Sequence, residues 1–225
     1  MKKGKLIVID GTDGSGKATQ TDLLIKRLKK AGHKVAVKDF PRYGKESAYF
    51  VEQYLNGKYG TARKLGPYLP SYFYALDRFE ASGELKKQLE LGYIVVSNRY
   101  VTASMGHQGG KIRTEKKRKQ FFKWLTDLEF NIFGIPEPDL TLILHMPSRL
   151  AQKLVDRKGH RNYIGGKKRD LHEKDITHMR AAEKTYLQMS KLFGYPLIKS
   201  VAQNKIKTPA EISEQIWKEV QKILD

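Results

Sequence analysis

Apolar residues in this chain fall into two rhythms, short continuous runs and longer stretches with a helical repeat. Leu6-Ile7-Val8-Ile9, ending at Asp10, is a continuous run of the kind found in a parallel strand buried on both faces. Lys17 to Lys30 carries Leu23, Leu24 and Leu28 at helical spacing and stops near Gly32, which suits a helix C-terminus. Lys34 to Phe40 alternates as a second strand and halts at Pro41, Tyr68 to Leu91 has the pattern of a long helix, and Gly92 precedes a third strand at Tyr93 to Ser97. Glu115 to Phe133 is amphipathic, helical and rich in Phe and Trp, and Pro136 and Pro138 break it before a fourth strand at Leu140 to Met146. Ser148 to Arg157 and Lys174 to Leu192 are helical and flank a polar stretch rich in Gly and Arg, Lys158 to Glu173. Leu197 to Val201 is a fifth strand, and Thr208 to Leu224 a closing helix with Thr208-Pro209 at its start. Strands alternate with helices throughout, which predicts an α/β fold: one domain over residues 1–225, a five-stranded parallel sheet with helices on both faces.

Composition narrows the class. With 225 residues, 40% apolar and 30% charged, the chain is long enough to bury a core and ordinary for a soluble protein. No apolar run approaches the length of a membrane span, and the run after Met1-Lys2-Lys3-Gly4-Lys5 is too short for a signal-peptide core, so a cytoplasmic enzyme is expected. The absence of cysteine excludes disulfides, thiolate metal sites and cysteine nucleophiles. The formal charge of +19 has three readings: nucleic-acid binding, a generally solvated basic surface, or a field that attracts anionic small substrates. Lysines are spread along the chain, with dense runs only at Lys116–Lys119 and Lys167–Arg169, and no RNA-binding or zinc-finger signature is present, so nucleic acid is not the expected partner.

The chemistry enters with Gly11-Thr12-Asp13-Gly14-Ser15-Gly16-Lys17, which fits G-x-x-x-x-G-K between a predicted strand and a predicted helix. Glycines there let backbone N–H groups wrap a phosphate, and the helix from Lys17 directs its positive end at the same anion. Lys17 would bridge the β- and γ-phosphates of a nucleoside triphosphate. Ala18 stands where the motif has a Mg²⁺-binding hydroxyl, and Thr19 faces about 100° away on the helix. Metal binding then falls to water or to carboxylates such as Asp13 and Asp10.

The stretch Ile9 to Gln20 resembles the phosphate-binding loop of thymidylate kinases, which read roughly E-G-x-D-G-x-G-K-x-T. The resemblance continues in order through Phe40-Pro41-Arg42-Tyr43, Tyr74-Ala75-Leu76-Asp77-Arg78, Asn98-Arg99-Tyr100, Gln108-Gly109-Gly110, Pro138-Asp139-Leu140 and Arg169-Asp170-Leu171-His172-Glu173. It implies ATP and dTMP as substrates, Mg²⁺, a homodimer built through helices, and a mobile lid at about 158–173. The ATP site would be Gly11 to Thr19. Arg42, Arg78 and Arg99 suit an anionic acceptor, since arginine binds phosphate bidentately. The resemblance assigns the acceptor phosphate to Arg78 and stacking on thymine to Tyr74. It places Phe40, Ser104, His107 and Gln108 in the acceptor site and Asp13 beside the sugar 3′-hydroxyl or the metal. Thymidylate kinases carry a catalytic arginine either in the phosphate loop or in the lid. Gly14 cannot supply it, so Arg157, Arg161 and Arg169 are the candidates, with Asp170 and Glu173 able to orient them or reach the metal.

Several positions depart from the family pattern. Asn98 replaces an Asp, removing a charge near the transferred phosphate; Ala103 and Ser104 stand where Ser and Asn or Thr are common. His107 replaces a Tyr that helps exclude the ribose 2′-hydroxyl, His145 an Asp, and Leu154 an adenine-stacking Arg. These changes leave kinase chemistry in place and loosen the expectation of strict specificity. Another deoxynucleotide such as dUMP is the alternative acceptor, and a nucleotide-gated nucleic-acid-binding protein the rival of a different class. The face Phe121, Phe122, Trp124, Leu125 and Leu128 is expected mainly in the core.

Overall fold

Alternation along the central strands divides the interior in two. In the computed structural model, which describes residues 3–155, 176–203 and 205–224, strand β1 (Lys5–Gly11) sends Leu6 and Val8 to one face and Ile7 and Ile9 to the other. β3 (Ile94–Asn98) and β4 (Leu140–His145) continue the division: Val95 and Ile143 join the first layer, Ile94, Val96, Leu142 and Leu144 the second. With β2 (Val35–Asp39) and β5 (Leu197–Lys199) they form a five-stranded parallel sheet in the order β2-β3-β1-β4-β5. Helices α1 (Lys17–Lys30) and α9 (Pro209–Leu224) cover the second face through Leu24, Leu28, Ile212, Ile216 and Val220. Each such side chain contributes about 1.5–3 kcal/mol on burial.

The opposite face is covered by α4 (Tyr68–Glu90), α5 (Val101–Gly109), α6 (Glu115–Thr126) and α8 (Ile176–Phe193). Short helices α2 (Tyr49–Leu55) and α3 (Ala62–Leu65) flank α4, and α7 (Ser148–Val155) follows β4. Three elements escaped the sequence pattern: α2, α3 and α5. The last has buried residues at every position but one, so it has no polar face to betray a period. The expected fifth strand ends early, and its last residue opens a small antiparallel pair, β6 (Val201–Ala202) with β7 (Lys205–Ile206). At α9, Thr208 Oγ1 accepts from the Glu211 N–H at 3.3 Å while the Glu211 carboxylate accepts from the Thr208 N–H at 2.7 Å, a capping box.

The helix expected over Glu115 to Phe133 is not uniform. It widens into a π-helical turn at Asp127–Ile132, which buries the neighbours Leu128 and Glu129 together. Phe121, Phe122 and Leu125 are core residues, as the pattern predicts. Among the described residues no helix is long and apolar enough to cross a membrane. The lid expected at 158–173 lies outside the described residues.

Near the end of α5, the half-buried Lys111 ammonium donates to Tyr54 Oη at 2.9 Å and to the Gly66 carbonyl at 3.1 Å. Burial lowers its pKa from 10.5 to about 7. The folded chain therefore releases this proton near pH 7, whereas the unfolded chain keeps it to about 10.5. The unfolded state binds more protons across that window, so this group's contribution to stability rises with pH, by about 1.4 kcal/mol per unit at most. Lys111→Met should raise the urea midpoint most at pH 7 and below, and the gain should shrink towards pH 10.

Candidate active site

β1 ends in the glycine that makes the site possible. Gly11 has φ of 142°, and a Cβ there would lie 2.2 Å from the Leu144 carbonyl oxygen of β4. Gly14, with φ of 81°, packs as closely on α7, where a Cβ would lie 2.4 Å from the Ala151 carbonyl oxygen. That contact is the physical reason why an arginine cannot occupy position 14. The chain then enters α1 at Lys17, whose ammonium donates to the Gly11 and Thr12 carbonyls at 3.0 and 2.9 Å. The loop is thus closed on its own lysine at the positive end of α1.

The sheet edge brings the second group. β3 ends at Asn98, and Arg99 follows with φ of 67°, a left-handed conformation disfavoured for a side chain with a Cβ. Its N–H donates to the Ile9 carbonyl at 3.0 Å, and the Ser97 hydroxyl donates to its carbonyl at 2.6 Å. That backbone aims the guanidinium at the loop, where it is hydrogen-bonded to Asp13 Oδ1 and donates to His107 Nε2 at 3.0 Å. Burial alone would lower the Arg99 pKa; the Asp13 carboxylate, with Tyr186 and Asp10 behind it, outweighs burial and holds it well above the ordinary value. Burial drives His107 far below the usual histidine range against the pull of Asp13, helped by Arg99 and His178. His107 is therefore neutral, and since its Nε2 accepts, its ring proton resides on Nδ1. Asp13, Gly14, Gly16, Lys17, Ala18, Thr19, Asn98 and Arg99 line a pocket of about 300 Å³ at the carboxyl edge of the sheet, where ligands bind in open α/β sheets.

Arg42 is bound to Asp77, Ser47 and Glu80, with 3.0 Å from its Nε to Asp77 Oδ1 and 2.7 Å from its Nη2 to Ser47 Oγ. Phe40 is buried against the Tyr100 ring at 5.8 Å between centroids, and Tyr74 is half-buried, edge-on to Tyr54 at 6.4 Å. Gln108 is buried, and its Oε1 accepts no hydrogen bond among the described residues.

Two of the expected residues are engaged inside the fold. Arg78 is not a free cation for a phosphate: it is 2% exposed, its Nε and Nη2 donate to Glu129 at 2.5 and 2.7 Å, and its other hydrogen bonds go to the Tyr100 carbonyl and Ser104 Oγ. Glu129 balances its charge inside the core and keeps it protonated despite burial. Asp10 is not among the residues that line the pocket. It is fully buried and accepts from the Gly11 N–H, the Thr102 hydroxyl and the Tyr186 hydroxyl, tying β1 to α5 and α8. Arg157, Arg161, Arg169 and Glu173 lie outside the described residues, and of Leu154 only the backbone is described. His145 Nε2 is hydrogen-bonded to Glu183 at 2.9 Å, and that carboxylate also accepts from the Ser148 N–H that opens α7.

Glu129, Asp77 and Tyr186 were missed. Glu129 had a signal: it stands at i+4 from Leu125 and i+8 from Phe121, a charge on the apolar side of its helix. Asp77 adjoined a quoted arginine, but nothing local reveals that it binds Arg42, 35 residues earlier in the chain.

Comparison with known proteins agrees with this geometry. The sequence profile of the family described as thymidylate kinase matches residues 9–210. Thymidylate kinase of Mycobacterium tuberculosis is 29% identical over 187 residues, covering 82% of this chain and 85% of that protein. The human thymidylate kinase is 27% identical over 165 residues, covering 73% and 71%. A probable thymidylate kinase of Pyrobaculum aerophilum is 28% identical over 211 residues, covering 93% and 95%. The solved thymidylate kinase of Candida albicans, described as broad in substrate specificity, superposes with a TM-score of 0.72 at 20% identity, covering 98% of this chain and 92% of that one. With its phosphate loop, its sheet order and a profile match over nearly its whole length, the chain belongs to the thymidylate kinase family.

Proposed function

We propose that this protein transfers the γ-phosphoryl group of ATP to thymidine 5′-monophosphate, giving dTDP and ADP, as a single domain over residues 1–225 working in the cytoplasm. The observation that carries the reading is the meeting of Lys17, Asp13 and Arg99 in one pocket at the carboxyl edge of the sheet. Lys17 and the backbone N–H groups of Gly11 to Thr19 hold the ATP phosphates, and Lys17 follows charge onto the transferred group. Arg99, aimed by its left-handed backbone, and Arg42 grip the acceptor phosphate. Arg78, buried with Glu129, holds Ser104 in place, and Ser104, Tyr74, Phe40, His107 and Gln108 serve the base. The catalytic arginine comes from Arg157, Arg161 or Arg169, since Gly14 has no room for one. Phosphoryl transfer needs placement and charge balance more than covalent chemistry, and these groups supply both.

The oxygens at the pocket fit a hydrated Mg²⁺ shared with the nucleotide. Among the described residues no three His, Asp or Glu side chains converge on a metal of their own, while Asp13 and the buried Oδ1 of Asn98 face the pocket region. Held with its waters beside Asp13 and Asn98, such an ion would supply positive charge to the polyphosphate as charge develops there. The test is an acceptor panel in a coupled ADP-release assay. Preferred turnover of dTMP is expected; preference for dUMP would redirect the reading to that acceptor, and equal turnover of ribo- and deoxyribonucleotides would sink it.

A homodimer is part of the proposal. Tyr68, Tyr72, Leu76 and Phe79, spaced at one face of α4, are 45, 40, 44 and 48% exposed, an apolar stripe of the kind that pairs helices between subunits. Leu76→Glu should convert the dimer to a monomer by light scattering without loss of helical circular dichroism.

A further inference from the structure

In phosphate-loop enzymes the metal is commonly held by a loop hydroxyl and by an acid at the end of a neighbouring strand. This chain has Ala18 and Asn98 where those groups would stand, Asp10 is consumed inside the core, and Asp13 is engaged by Arg99 and Lys17. An acid is nonetheless present one strand over. β2 and β3 pair in parallel with Asp39 opposite Asn98, so both side chains leave the sheet on one face, about 4.8 Å apart. Asn98 Nδ2 donates to Asp39 Oδ1 at 2.9 Å. A carboxylate only accepts, so this bond fixes the amide: Nδ2 faces Asp39, and Oδ1 must face away. That oxygen is buried and accepts nothing among the described residues, although Asn98 lines the pocket with Lys17 and Arg99. An unmet acceptor is out of place in a pocket built of donors for phosphate. It calls for a donor, and water bound to Mg²⁺, which keeps several of its waters, is the donor that arrives with ATP.

We propose that Asp39 and Asn98 act as one unit that positions hydrated Mg²⁺, with Asn98 Oδ1 accepting from a metal-bound water and Asp39 supplying the negative charge from the adjacent strand. Asp39 is a positioning residue, acting through Asn98; burial raises its carboxyl pKa, and the Arg99 and Lys17 cations with the Asn98 hydrogen bond oppose that rise. The charge lost from the end of β3 is thereby kept, displaced sideways by one strand. This rests on the reading of the protein as a kinase of Mg²⁺-bound ATP.

The test measures metal directly, by electron paramagnetic resonance titration of Mn²⁺ into the protein with ADP, for wild type, Asp39→Asn, Asn98→Asp, and the exchanged pair Asp39→Asn with Asn98→Asp. Asp39→Asn should weaken Mn²⁺ binding about tenfold, and the exchanged pair should restore it to within about threefold, the range expected for a group one step removed from a metal. ADP affinity in EDTA and the melting temperature should stay unchanged in Asp39→Asn. Unaltered Mn²⁺ affinity in Asp39→Asn overturns the proposal, as does an equal loss of ADP affinity without metal, which would mark a structural role. A wild type that binds Mn²⁺ and ADP in this way but fails to phosphorylate dTMP would overturn the acceptor reading and leave this one standing.

Discussion

Lys17→Met should lower the turnover number about 10²–10³-fold, the loss expected when one preorganised donor to developing charge is removed. Methionine keeps the unbranched stem in a site that is 7% exposed, so packing is retained and the change is confined to the ammonium. That ammonium donates at 3.0 and 2.9 Å to two carbonyls of its own loop, which keep it at the phosphate site until it exchanges them for phosphate oxygens. The loss should fall mainly on turnover, with ADP affinity weakened less, because the backbone N–H groups of the loop remain. Steady-state and single-turnover measurements with dTMP check it; turnover within about threefold of wild type would remove Lys17 from the transfer step.

Glu129→Ala should destabilise the fold by about 3–5 kcal/mol, the cost of leaving a buried charge without its partner. Arg78 and Glu129 are 1% and 0% exposed in their side chains and join α4 to the π-helical turn. For a chain of this length the melting temperature should drop by roughly 10 °C. The double variant Arg78→Met with Glu129→Leu should recover most of that stability, since apolar groups of similar size replace a buried pair at little net cost. It should not recover dTMP turnover if Arg78 orients Ser104 towards the base. Calorimetry and turnover on the same two variants separate the structural share of the pair from the functional one. Stability lost equally by the single and double variants would show packing, not charge, to be the cause.

Much of the sheet was legible because its strands carry continuous apolar runs, and all five lie within two residues of the ends that the pattern predicts, β5 being the one cut short by two. Helices with one wet face were equally plain. α5 was not, because buried Met105, His107 and Gln108 leave it no amphipathic period. The phosphate loop was readable as a loop of glycines before a lysine, and the structure adds the reason for two of them in the close carbonyls of Leu144 and Ala151. What the sequence could not disclose was the pairing of charges. Arg78 and Arg42 look alike as isolated arginines, yet one is neutralised by Glu129 at a separation of 51 residues and the other by Asp77 at 35. Such partners follow from the crossing of helices and from a π-turn, neither of which leaves a local signature.

The division of the interior by the alternating strands has a further consequence. The apolar residues of the α1–α9 layer and of the α4–α5–α6–α8 layer form separate clusters on opposite faces of the same strands. Energetic effects of substitutions in separate layers should therefore add, as they do for sites without shared partners. The candidate acceptor groups Tyr74, Arg78, Ser104 and His107 all stand on α4 and α5, whereas Lys17 and the start of α1 belong to the other side. Apolar positions on one face can thus be repacked while the apolar packing of the other stays as it is, whereas the Asp13–Arg99–His107 link at the sheet edge joins the two sides.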